Sequence, residues 1–156
     1  MTETPRVPKS SILLELSTVA GLIRTLVDQA LAGLDAREDF LTYTLLAVLG
    51  EANPTQVATH EGVPLTTVSD RLNRLVQRGH AERVPNPADG RSSLFRLTED
   101  GWSAFWEAQP RFREALDGVD ARLDLPLDEI RRAIESVERA LREQLVAVNE
   151  KKTSEP

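Results

Sequence analysis

The side chains best equipped for chemistry in this 156-residue chain lie in its middle. Between Asn53 and Arg96 stand Arg71, Arg74, Arg78, Arg83, Arg91 and Arg96, against only Glu61, Asp70, Glu82 and Asp89. The segment is locally basic inside a chain of formal net charge -6. A guanidinium is a planar fork of donors that suits phosphate oxygens and base-edge acceptors. Its local enrichment in an acidic protein is the charge asymmetry of a nucleic-acid footprint. In LTTVSDRLNRLVQRG, the spacing puts Leu65, Val68, Leu72 and Leu75 on one side of a helix. The opposite side carries Thr66, Thr67, Asp70, Asn73, Arg74 and Gln77, with Arg71 and Arg78 on its flank. Hydroxyl, amide and guanidinium groups are the set that reads base edges and grips phosphates in a major groove. Alone, such a helix is more often an ordinary amphipathic surface helix, so its meaning depends on its neighbours.

Other chemistries find no residues to carry them. The chain has no cysteine, which excludes a disulfide framework, a thiolate sensor and a cysteine-based zinc site. His60 and His80 are the two histidines, and no His-Glu-x-x-His pattern surrounds them, so no metal is expected. No glycine-rich phosphate loop follows a strand, no Ser-His-Asp ordering is apparent, and the carboxylates fall on solvated helix faces. The chain therefore reads as a non-enzyme without a cofactor. The opening MTETPRVPKSS lacks the layout of a signal peptide, and no apolar run is long enough for a bilayer; the expectation is a cytoplasmic protein with no membrane partner.

The elements around the arginines are legible from their punctuation. DFLTYTLLAVLG reads as a helix that is apolar nearly all round and is ended by Gly50. PTQVATHEG is a short helix with proline at its first position and glycine after its end. A third helix, LTTVSDRLNRLVQRG, stops at Gly79. AERVP and SSLFRLT then form two strands around NPADGR, where Asp89-Gly90 is the strongest turn signal in the chain. Thr98 caps the next helix, with Glu99 and Asp100 in its first turn. Three short helices followed by a hairpin is the order of a winged helix-turn-helix, a mostly α (α+β) class. At the ends, Ile12, Leu16, Val19, Ile23 and Leu26 step by threes and fours, as do Leu127, Ile130, Ile134, Val137, Leu141, Leu145 and Val148. Such stripes need a covering surface. The expected organisation is a helical dimerisation region from 9–35 and 119–150, a DNA-binding lobe with its connecting helix at 36–118, and flexible tails at 1–8 and 151–156.

The stretch VPLTTVSDRLNRLVQRGHAERVPNPADGRSSLFRLTEDG resembles the MarR family of transcriptional regulators. There, a recognition helix ending in L-x-x-x-G leads into a wing with D-x-R and then L-T-x-x-G. Here these are Leu75 to Gly79, Asp89-Gly90-Arg91, and Leu97-Thr98-Glu99-Asp100-Gly101. The resemblance covers the middle third of the chain. It implies that Arg91 probes the minor groove and that Asp89 orients it. The first half agrees with physics, since a narrow groove has the most negative potential. Asp89 before a glycine is also ordinary turn chemistry.

Asp70 departs from the pattern, because many relatives carry a basic or neutral residue there. It either accepts from a cytosine amino group at a cost in affinity or pairs with Arg74 on the next turn. The resemblance further implies a homodimer on double-stranded DNA, reading a palindromic operator as a repressor, and a small aromatic or phenolic effector. Tyr43, Trp102, Phe105 and Trp106 are the local candidates for binding that effector, and at helical spacing the three from Trp102 onward also read as plain core. The alternative is a winged-helix protein-interaction module without specific DNA binding.

Overall fold

The computed structural model describes residues 12–154, with side chains through Glu150. The expected N-terminal tail lies outside the described residues, as do 155–156; residues 151–154, expected in a tail, continue the last helix. Two compact units divide the described chain, 12–115 and 116–154.

The first unit holds α1 (Ile12–Ala30), a 3-10 turn (Arg37–Asp39), α2 (Phe40–Leu49), α3 (Pro54–Glu61), α4 (Leu65–Gln77), the hairpin strands β1 (Ala81–Pro85) and β2 (Ser93–Leu97), and most of α5 (Glu99–Asp120). The second holds the end of α5 and α6 (Leu127–Ser154). Three helices and an antiparallel hairpin give the expected winged helix-turn-helix.

Local chemistry accounts for each boundary. Asn53 caps α3: its Oδ1 accepts from the Gln56 backbone N–H at 2.9 Å, and the Gln56 side chain accepts from the Asn53 N–H at 2.9 Å. This reciprocal box satisfies two donors that a helix start leaves open. Gly62 ends α3 in the left-handed region at φ +65°, where a side chain would be strained. The hairpin pairs Ala81 with Leu97 and Pro85 with Ser93. Ala52 bridges Phe95 from outside it, tying the end of α2 to the wing. Thr98 caps α5 as expected, accepting from the Gly101 N–H at 3.1 Å while donating to the Gly79 carbonyl at 2.6 Å.

The core of the first unit draws Phe40, Tyr43 and Leu46 from α2, Val57 from α3, Val68, Leu72 and Leu75 from α4, and Phe95, Leu97 and Phe105 beyond. Leu65, expected on the core side of α4, is instead 49% exposed, because the first residue of the helix overhangs the core. Among the described residues no side-chain polar atom is buried without a hydrogen-bond partner. In α1, Ile12, Val19 and Ile23 remain exposed, and among the described side chains of α6, through Glu150, none is buried.

Candidate nucleic-acid interface

The loop between the strands is braced by its own side chains. Asn86 accepts from the Ala88 N–H at 3.0 Å and donates to Ser92 Oγ at 2.7 Å. Asp89 Oδ1 accepts from the backbone N–H of Arg91 at 3.0 Å. The carboxylate thus shapes the backbone of the tip, as turn chemistry asks, and makes no bond to the Arg91 guanidinium. Arg91 is exposed and has no carboxylate within ion-pair distance among the described residues.

On α4, Thr66, Asp70 and Gln77 are exposed, whereas Thr67 and Asn73 are half-buried. Asn73 Oδ1 accepts from Arg83 Nη2 of β1 at 2.5 Å. The Arg83 guanidinium also lies over the Phe95 ring, 5.3 Å from its centre, a favourable cation–π placement. Helix α4 and the hairpin are joined through this contact.

The α4 arginines are engaged inside the protein. Arg74 forms a two-pronged bond to Asp39, with Nη2 to Oδ1 at 2.6 Å and Nε to Oδ2 at 3.2 Å. The Asp39 carboxylate is fully buried and raises the Arg74 pKa above its ordinary value, chiefly through this hydrogen bond. Arg78 reaches the Asp35 carbonyl at 3.0 Å, Glu38 at 3.5 Å and Asp39 at 3.9 Å. Arg71 pairs with Glu61, whose other carboxylate oxygen accepts from Thr42 Oγ1 at 2.6 Å. Beyond α4, Arg96 pairs with Glu82 at 2.7 Å and Glu51 at 3.5 Å. Of the six arginines between Asn53 and Arg96, Arg83 and Arg91 are the two with no carboxylate partner among the described residues. The proposed Arg74–Asp70 pairing does not form; Asp39 takes that guanidinium.

Asp39, Glu38 and Glu61 were not singled out from sequence. Asp39 stands just before an apolar helix, where an aspartate reads as an N-cap, yet its side chain makes no capping bond.

Tyr43 and Phe105, candidates for an effector site, are core residues. The Tyr43 hydroxyl lies 2.6 Å from His80 Nδ1, and burial pushes its pKa above the ordinary value, against the pull of Arg78. Phe105 stacks on Phe40 with ring centres 5.8 Å apart, and Trp102 meets Phe105 edge-on. Trp106 is 59% exposed. None of the four lines the cavity of about 470 Å³ in this unit. That cavity has an apolar wall of Ile23, Val27, Phe40 and Leu41. Its polar side includes Asp28, Arg37, Asp39, Glu61 and Arg71. Arg37 holds Asp28 with two bonds of 2.5 and 2.7 Å, which lowers the Asp28 pKa.

Among the described residues no group of three or more potential metal ligands converges, and no helix is long and apolar enough to cross a membrane.

Residues 39–92, the span from the buried Asp39 to the hairpin tip, match the model of the MarR family. The match spans the three helices α2 to α4 and the start of the hairpin. No curated protein matches the chain by sequence. The fold is shared with solved regulators. The M. tuberculosis regulator MosR, solved in complex with DNA, superposes with a TM-score of 0.75 at 21% identity, covering 86% of this chain and 98% of that one. A MarR-family regulator from Silicibacter pomeroyi gives 0.69 at 24% identity over 90% and 98%. PcaV from Streptomyces coelicolor, solved with its natural ligand, gives 0.65 at 20% identity over 90% and 97%.

Proposed function

We propose that this chain is a cytoplasmic, sequence-specific DNA-binding regulator that represses from a palindromic operator as a homodimer. The observation that carries this reading is the wing: an exposed guanidinium with no carboxylate partner, Arg91, on a tip whose backbone Asp89 braces. A hairpin tip buries little, so a braced arginine there has its use outside the protein. Arg91 enters the minor groove, while Thr66, Thr67, Asp70 and Asn73 of α4 meet the major groove. The regions 9–35 and 119–150 pair two copies, and 36–118 is the reading lobe.

The likeness to MosR, which was solved with DNA, supports this. The likeness to PcaV, solved with its natural ligand, supports release by a bound small molecule, for which the sequence resemblance implies an aromatic or phenolic compound. The cavity against Phe40 is the better effector site than the aromatic cluster, because Tyr43 and Phe105 are committed to the core.

The test is selection from random duplex DNA, followed by gel-shift assays on the enriched sequences. Enrichment of an inverted repeat with half-sites about 10 base pairs apart is expected. Recovery of no sequence would overturn the reading in favour of a protein-interaction module. The internal pairing of Arg71, Arg74, Arg78 and Arg96 is the observation on that side.

A further inference from the structure

Arg71, Arg74 and Arg78 follow one another at spacings of three and four, so they form one stripe that runs along α4 to Arg78, the residue that caps its end. Every member is tied to a carboxylate from outside the helix. Asp39 and Glu38 come from the turn before α2, and Glu61 from the end of α3. The stripe is anchored at two heights, by Asp39 near the middle and end of α4 and by Glu61 a turn earlier. The side chains of Asp39 and Glu61 are buried, and a buried carboxylate strongly resists losing its partner. Anchors at two heights on one side fix how far a helix is turned about its own axis. The exposed polar residues of α4 are Thr66, Asp70 and Gln77, none of them a cation.

From this geometry we infer that Asp39, with Glu61, is a positioning residue for DNA reading, and that Arg71, Arg74 and Arg78 set the rotation of the recognition helix instead of gripping phosphates. This rests on the DNA-binding reading above. It reassigns three residues that their types alone would place on the DNA backbone. Electrostatic affinity then comes from cations outside α4, Arg91 in the minor groove among them, and α4 supplies discrimination.

The two roles differ in salt dependence. Each phosphate-gripping cation adds about 0.9 to the slope of log affinity against log salt. The experiment compares wild type, Asp39→Asn and Arg74→Lys on the enriched duplex and on a random duplex across a salt series. Asp39→Asn keeps the shape and leaves no buried charge unpaired. If the arginines position the helix, Asp39→Asn lowers the ratio of specific to random affinity by about tenfold, the scale of one good base contact, with the salt slope unchanged. Arg74→Lys, which keeps the charge but loses the fork, does the same. If they grip phosphate, Asp39→Asn frees a cation, so random binding strengthens and the slope steepens, and Arg74→Lys stays near wild type; that result overturns the inference. Circular dichroism checks that each variant is folded, and Arg74→Lys decides the matter should Asp39→Asn unfold. A wild type that enriches no sequence fails the DNA-binding reading itself, a different outcome from a selective wild type whose variants keep full discrimination.

Discussion

Gly101 lies so close to the backbone of His80 that a Cβ built on it would fall 1.9 Å from the His80 carbonyl oxygen. That distance explains the glycine of Leu97-Thr98-Glu99-Asp100-Gly101 without any ligand. The first turn of α5 rests on the chain where α4 gives way to β1, and Thr98 holds the same junction by donating to the Gly79 carbonyl. A side chain at 101 would push backbone against backbone, which cannot relax as a flexible side chain can. Gly101→Ala should therefore destabilise the protein by about 1–3 kcal/mol or more. Gly118→Ala is the control, since its Cβ would meet only the Arg122 guanidinium at 3.5 Å; there alanine should gain up to about 1 kcal/mol in helix propensity. Thermal unfolding of the two variants checks both signs, and equal melting temperatures would contradict the account.

Tyr43 is the one tyrosine in the chain, so absorbance of its phenolate reports that residue alone. Burial disfavours the charged form, and its pKa lies above the ordinary 10.0. In a pH titration of the folded protein the phenolate band should rise later than in denaturant. The linkage follows in sign: above about pH 10 the unfolded chain gives up this proton first, so stability falls as pH rises further. Tyr43→Phe should remove that decline while costing about 1 kcal/mol near neutrality, through the lost hydrogen bond to His80. Coincident titrations of folded and denatured protein would refute the burial argument.

Arg74 and Arg91 should separate cleanly by assay. Arg74→Ala leaves the buried Asp39 carboxylate without its closest partner, and should cost about 3 kcal/mol of stability. Arg91→Ala removes an exposed side chain with no ion pair, and should leave the melting temperature unchanged. It should instead weaken operator binding by about 1–3 kcal/mol. Denaturant unfolding and gel-shift titrations at matched salt measure the two effects. Unaltered affinity in Arg91→Ala would take the wing tip out of the interface.

The difference between these arginines marks where sequence reading stopped. Period and punctuation were enough for α2 to α4 and the hairpin, because Val68, Leu72 and Leu75, Asn53 with Pro54 and Gly62, and Asp89-Gly90 all act locally. The ion pairs are not local. Asp39 meets Arg74 across 35 positions, and nothing in its neighbourhood distinguishes it from a helix cap. The charge count between Asn53 and Arg96 overstated the free positive charge for the same reason. Glu38, Asp39 and Glu51 lie outside that window, yet they pair with Arg74, Arg78 and Arg96. The aromatic residues carried a different ambiguity. Trp102 and Phe105 at helical spacing could line a site or fill a core; Phe105 is buried against Phe40, and Trp102 packs half-buried on Phe105.

The ends of the chain carry the remaining prediction. Ile134 is 57% exposed and Leu145 62% exposed on α6, and α1 leaves Ile12, Val19 and Ile23 uncovered. Each such side chain is worth about 1.5–3 kcal/mol when fully buried, so two copies that cover these stripes have a strong reason to associate. A single recognition helix reads too few base pairs for useful specificity, whereas a two-fold pair places two helices at the spacing of a palindrome. Ile134→Glu should set a charge in the covered surface, give monomers by light scattering at micromolar concentration, and abolish binding to the enriched inverted repeat. Circular dichroism should meanwhile show the winged-helix lobe still folded, because Ile134 lies in the other unit. DNA binding would then be lost at a residue with no part in touching DNA. A wild-type protein that scatters as a monomer yet binds the inverted repeat tightly would defeat this account of the ends.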